Sequence, residues 1–92
     1  MLTIEYHKSF KKDYKRVKKQ GYNIKKLETV ISLLANEQQL PEFYRDHALK
    51  GDYEGFRECH IQPDWLLIYC VEKGKLVLAL SRTGSHSELF GK

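Results

Sequence analysis

Cysteine is scarce: Cys59 and Cys70 are the only two in a chain of 92 residues. Two thiols cannot build the disulfide framework of a small secreted domain. Each lies in an apolar strand pattern, where a reduced, buried thiol packs as a small hydrophobe. No apolar run approaches the ~20 residues a membrane-spanning helix needs. The opening Met1-Leu2-Thr3-Ile4-Glu5-Tyr6-His7 lacks a charged lead followed by an apolar block, so no signal peptide is expected. Only two prolines interrupt the chain, and there is no repeat, linker or low-complexity stretch. These absences predict a cytoplasmic protein that does not engage a membrane, folded as a single domain over residues 1–92.

What is present is globular and basic. Apolar residues make up 41% and charged residues 30%, with a net charge of +4. The excess is uneven: residues 1–50 hold 11 basic and 6 acidic residues, and residues 51–92 hold 5 and 6. Such asymmetry suits a polyanion or an acidic protein partner.

Leu2, Ile4 and Tyr6 alternate with Thr3, Glu5 and His7, the period of a half-buried strand. Ser9 stands where a helix N-cap would, and Phe10, Tyr14 and Val17 follow at helical spacing. Lys8, Lys11, Lys12, Lys15, Arg16, Lys18 and Lys19 crowd this helix, opposed only by Asp13, and Gly21 is placed to end it. Its basic face is expected to bind RNA through Lys11, Lys12, Lys15, Arg16, Lys18 and Lys19. Asn23 can cap a second helix carrying Ile24, Leu27, Val30, Ile31 and Leu34, which fades by Asn36.

Leu49 to Gly55 reads as a short strand and a turn. Phe56 to Gln62 reads as a strand with Cys59 and Ile61 on one face and Glu58 and His60 on the other. After the Pro63-Asp64 turn, Trp65 to Val71 is the most apolar run and a central strand. Glu72 to Lys75 turns into a partner strand, Leu76 to Ser81, with Leu76, Leu78 and Leu80 on one face. The expected fold is α+β, in the order β-α-α-β-β-β, with two N-terminal helices packed on a small twisted, mainly antiparallel sheet.

Three histidines, His47, His60 and His86, stand on turns or strand ends near Asp64. A zinc site from these four has no locally spaced histidine pair and would have to assemble from distant segments, so no metal or other cofactor is expected. Metal-free RNA cleavage fits better. Attack of a ribose 2′-hydroxyl on the adjacent phosphate needs a base, an acid and cations, which His, Asp and Arg supply. Trp65 and Phe90 can stack an unpaired base, although Trp65, opening the most apolar strand, also occupies a core position.

Three segments match a known family in order and spacing. They are Asp46-His47-x-Leu49-x-Gly51, then Arg57-x-x-His60-x-x-Pro63-Asp64-Trp65-x-Leu67-Ile68-Tyr69, then Arg82-x-Gly84-x-His86-x-x-Leu89-Phe90. Over nearly the whole chain the sequence resembles the RelE/ParE superfamily of bacterial toxins, and its YafQ branch in particular. The resemblance implies a type II toxin, an endoribonuclease that cuts mRNA in the ribosomal A site and is held inactive by a cognate antitoxin. The site carries over as His47, His60, Asp64, His86 and Phe90, with Trp65 and Arg82 as neighbours. An antitoxin with an acidic segment would complement the basic helix. Two rival readings stand beside this one. A non-enzymatic toxin of the same fold, acting on a protein such as gyrase, should lack the histidine cluster. A plain RNA-binding module would not depend on His86.

Overall fold

In the computed structural model, which describes residues 1–91, a five-stranded sheet has the order β1-β5-β4-β3-β2. The strands are β1 (Thr3–Tyr6), β2 (His47–Ala48), β3 (Arg57–Gln62), β4 (Trp65–Glu72) and β5 (Val77–Gly84). Helices α1 (Lys8–Lys19) and α2 (Ile24–Ala35) follow β1, and a short α3 (His86–Phe90) follows β5. β1 lies parallel to β5, and every other pairing is antiparallel. Lys92, the last residue of the expected domain, lies outside the described residues. Among the described residues, no helix is long and apolar enough to cross a membrane.

The sheet has two unlike faces. One is closed by α1 and α2 over a core of Phe10, Leu27, Val30, Leu34, Cys59, Trp65, Leu67, Leu78 and Leu80. The other carries a small cluster in which Leu66, Ile68 and Leu89 meet Leu49, Tyr53 and Phe56. β4 is the middle strand and is buried on both faces, as its unbroken apolar run requires. The hairpin of α1 and α2 follows from local chemistry. Gly21 takes φ +86°, and Gly21 N–H and Tyr22 N–H reach back to the carbonyls of Lys18 and Val17, closing the last turn of α1. Asn23 Oδ1 then accepts from Lys25 N–H and starts α2.

Three sequence expectations are corrected, and one element is added. Helix α1 begins at Lys8, not after Ser9, because Ser9 Oγ donates to the carbonyl of Ser81 (2.7 Å) instead of capping. The short strand is His47–Ala48, earlier than expected, and Gly51–Tyr53 is a 3-10 turn. Leu76 is not a strand residue: it closes the hairpin at φ +54° and is exposed. The segment after Gly84 is a helix, opened by a capping box in which Ser85 Oγ accepts from Glu88 N–H and Glu88 accepts from Ser85 N–H.

One polar arrangement ties the helical layer to the sheet. β1 ends opposite Leu80, so the last residues of β5 have no strand on that side. Side chains of α1 take its place. Ser9 serves the Ser81 carbonyl, Asp13 Oδ2 accepts from Thr83 N–H (3.1 Å), and Arg16 donates to the Thr83 carbonyl (3.0 Å). Asp13 is 3% exposed and also accepts from Arg82 (2.6 Å) and Arg16 (2.7 Å). Burial alone would raise its pKa, but these guanidinium and N–H donors overcome that and hold it below the ordinary carboxylate value. Arg16 extends the strap to α3 through Glu88 (2.9 Å). Gly84, at φ +150°, lies under this crossing, where a Cβ would run into the Arg16 guanidinium.

Candidate active site

The histidines meet on the face of the sheet that α1 and α2 leave open. Strand register brings them together. His47 pairs with Glu58 on the neighbouring strand, two residues before His60. His60 pairs with Leu66, and Leu66 with Gly84, after which Ser85 caps α3 and His86 begins it. The rings form an arc: His47 and His60 stack at 6.1 Å between centroids, and His60 and His86 lie at 5.7 Å.

Each outer ring is oriented through Nδ1. His47 Nδ1 donates to the Arg45 carbonyl (2.8 Å), and His86 Nδ1 donates to Asp64 Oδ1 (2.7 Å). The same Asp64 oxygen accepts the His86 backbone N–H (3.0 Å), so one carboxylate fixes both the ring and the start of α3. These two bonds, the backbone one first, hold the Asp64 carboxyl below its ordinary range. The Nε2 atoms are thereby left for the cleft. His60 is the least exposed of the three, at 12%, and burial pushes its pKa down, with the charges of Arg45, His86 and His47 adding to the effect. Glu58 opposes part of this shift, its Oε1 standing 3.6 Å from both His60 Nε2 and His47 Nε2. A neutral imidazole thus sits between two rings of fixed orientation, above a buried carboxylate.

His47, His60, Asp64 and His86 are therefore brought together as the sequence suggested. Phe90 stands beside them on α3, 37% exposed, its ring edge-on to Tyr53 at 5.8 Å. Three expectations require correction. Trp65 is 1% exposed, donates Nε1–H to Thr83 Oγ1 and meets Tyr22 edge-on at 4.9 Å. It offers no ring face to a base and is a core residue. Arg82 gives two hydrogen bonds to Asp13 and so is held in the strap between α1 and β5, not against the histidines. Arg16 belongs to the same strap and is not part of the outer basic face. Lys11, Lys12, Lys15, Lys18 and Lys19 are exposed. Lys11, Lys15 and Lys18 line an apolar groove between α1 and α2 that shares no residue with the histidine cleft.

The sequence reading missed Glu58 as a site residue. Alternation along β3 put it on the face of His60, which was the available signal. It also missed that Glu58, His60 and His86 have ligand atoms within 4.8 Å of one another, a group able to hold a metal ion. This differs from the set of His47, His60, His86 and Asp64 weighed above, because Asp64 is committed to His86 Nδ1.

Known proteins share this sequence and fold. A family model described as the bacterial toxin of the type II toxin–antitoxin system, YafQ, matches residues 2–91. A protein named mRNA interferase toxin YafQ, from Escherichia coli (strain K12), is 40% identical over 89 residues, 96% of this chain and 95% of that one. A metal-bound toxin from Helicobacter pylori is 52% identical and superposes with a TM-score of 0.92 over 98% of this chain and all of that one. YafQ in the DinJ–YafQ complex from E. coli is 39% identical, with a TM-score of 0.89 over 99% of this chain and all of that one. With a match running from residue 2 to residue 91, this chain belongs to the YafQ family of bacterial type II toxin–antitoxin toxins.

Proposed function

We propose that this chain is an mRNA interferase that cleaves its substrate through the His60–His86–Asp64 cleft, without a metal. The observation that carries the reading is a half-buried His60, its pKa lowered by burial, with its ring centroid 5.7 Å from that of a His86 whose Nδ1 is held by Asp64. A ribose 2′-oxygen attacks the adjacent phosphorus and gives its proton to His60 Nε2, with Glu58 stabilising the imidazolium that forms. The bond from phosphorus to the 5′-oxygen breaks, and that oxygen takes a proton from His86 Nε2. Asp64 keeps the His86 ring oriented and pairs with its charged form. The products are a 2′,3′-cyclic phosphate and a free 5′-hydroxyl. Phe90, half-exposed beside the cleft, offers a ring on which an unpaired base can stack.

The exposed lysines of α1 form a polyanion-binding face, which supports action on ribosome-bound mRNA in the cytoplasm. The E. coli relative known in complex with DinJ supports a cognate antitoxin here, with an acidic segment as the complement of the same face. The histidine arc argues against a non-enzymatic toxin directed at gyrase, which has no use for oriented imidazoles. The decisive experiment is induced expression with mapping of message ends. Translation arrest with messages bearing 5′-hydroxyl ends, abolished by His86→Ala, is expected. Intact messages in arrested cells would refute cleavage and favour the protein-directed alternative.

Glu58, His60 and His86 also support a second reading, given that a relative is a metal-bound toxin. Two imidazoles and a carboxylate suit zinc or copper, which would supply Lewis-acid polarisation of a phosphoryl oxygen. A chelator of transition metals that spares magnesium should leave cleavage unchanged. Loss restored by added zinc would establish the metal reading in its place.

A further inference from the structure

Cleavage of a phosphodiester needs a cation for the charge that builds on the non-bridging oxygens, and the obvious candidate, Arg82, is already paired with Asp13. Of the four arginines, Arg16 is bound to Asp13 and Glu88, Arg57 to Asp46, and Arg82 to Asp13. Arg45 alone has no carboxylate partner among the described residues, and it is exposed.

Its backbone is fixed on both sides. Arg45 N–H bonds the Glu42 carbonyl (2.8 Å), its own carbonyl accepts from His47 Nδ1 (2.8 Å), and it holds the left-handed conformation at φ +51°. The next residue, Asp46, is clamped by the Tyr69 hydroxyl (2.6 Å) and Arg57 (3.2 Å), which ties the turn to β3 and β4. The carbonyl bond to His47, whose ring stacks on His60, places Arg45 at the His47 end of the arc. A guanidinium with no carboxylate partner, carried on an anchored turn next to His47, is suited to clamp a phosphate bound at the arc.

We propose that Arg45 binds the scissile phosphate and neutralises the charge that develops on it, making Arg45 a catalytic residue of the same cleft. The proposal rests on the cleavage reading above for its chemistry, but phosphate binding can be tested without it. In Arg45→Gln, single-turnover cleavage on programmed ribosomes should slow by about 10²–10³-fold, the usual loss for one donor to a developing oxyanion. Arg45→Lys, which keeps the charge but not the fork, should recover part of the rate.

Independently, titration of the protein with a nucleoside 3′-phosphate, followed through the ring protons of His60 and His86, should weaken about tenfold in Arg45→Gln. The melting temperature should be parental, since Arg45 supports no core contact. A parental protein that cuts no RNA would sink the cleavage reading alone, with the phosphate titration still deciding Arg45. Parental affinity for the 3′-phosphate in folded Arg45→Gln, or cleavage at the parental rate, would overturn the proposal.

Discussion

Asp13 and Asp64 are both aspartates that accept several hydrogen bonds, and they do opposite things. Asp13 is buried under α1, and its partners are two arginines and a backbone N–H, none of which changes charge near neutral pH. Asp64 is exposed, with a 68% accessible side chain, and holds the ring and backbone of one residue, His86. The first carboxylate joins α1 to β5 and has no chemistry left over. The second joins little and keeps an imidazole ready to move a proton. The same functional group becomes structural or catalytic according to whether its partner can titrate.

The sharpest break of this comparison is at His86. His86→Gln should slow single-turnover cleavage by about 10²–10⁴-fold, as loss of a general acid–base group does. Its thermal midpoint should stay close to the parental one, because no core contact is lost. Parental cleavage by the folded variant would move the acid role to His47.

At the other pole, Asp13→Ala leaves Arg82, Arg16 and Thr83 N–H without their acceptor. It should cost about 3 kcal/mol in urea unfolding, the lower end for breaking a buried pair because water reaches both guanidinium groups. Asp64→Ala should unfold at nearly the parental urea concentration. Equal midpoints for the two variants would erase the distinction.

Gly84→Ala should lie between them, with a loss of about 1–3 kcal/mol from forcing a Cβ against Arg16 at positive φ. Unfolding by urea checks this, and an unchanged midpoint would mean that Arg16 moves aside freely.

The pH dependence separates the regions again. His60 acts as base only when neutral, and its pKa is lowered in the fold, so cleavage should persist below pH 6.5 and fall as pH drops through the depressed value. The Asp13 contribution runs on another scale. With its folded pKa below the unfolded 3.8, that stability is fully present above 3.8 and is lost as acid takes the pH lower. Rates and acid-unfolding curves measured on one preparation should therefore fall in separate ranges. The smallest effect expected is on the outer face: replacing Lys11, Lys12, Lys15 and Lys18 with Gln should weaken ribosome cosedimentation and flatten its salt dependence. Unchanged cosedimentation would leave these lysines as a solvated surface.

Legibility in the sequence tracked the range of the interactions. The apolar run at Trp65, the Gly21 stop, the Asn23 cap and the two faces of β3 are local patterns, and they reappear in the fold. The strap was invisible because Asp13 and Arg82, or Ser9 and Ser81, are some seventy residues apart, and a seven-residue basic run looks uniformly solvated. Helix α3 escaped notice because five residues carry no period, although Ser85-x-x-Glu88 is the spacing of a capping box. His47, His60, Asp64 and His86 were legible as residue types and by family resemblance. Which nitrogen each ring offers, and that Glu58 lies beneath them, needed cross-strand register.

The replacement of a missing strand by side chains of α1 also bears on how this protein avoids its own kind. An unpaired stretch of β5 would present carbonyls and N–H groups in a row, a template on which another chain could add a strand. Ser9, Asp13 and Arg16 occupy its groups at Ser81 and Thr83 one by one, so the sheet ends there without an edge. The edges that remain are the four-residue β1 and the two-residue β2, both too short to seed a continuous intermolecular sheet. A clamp that reads as local reinforcement therefore also guards a small basic domain against aggregation through its sheet.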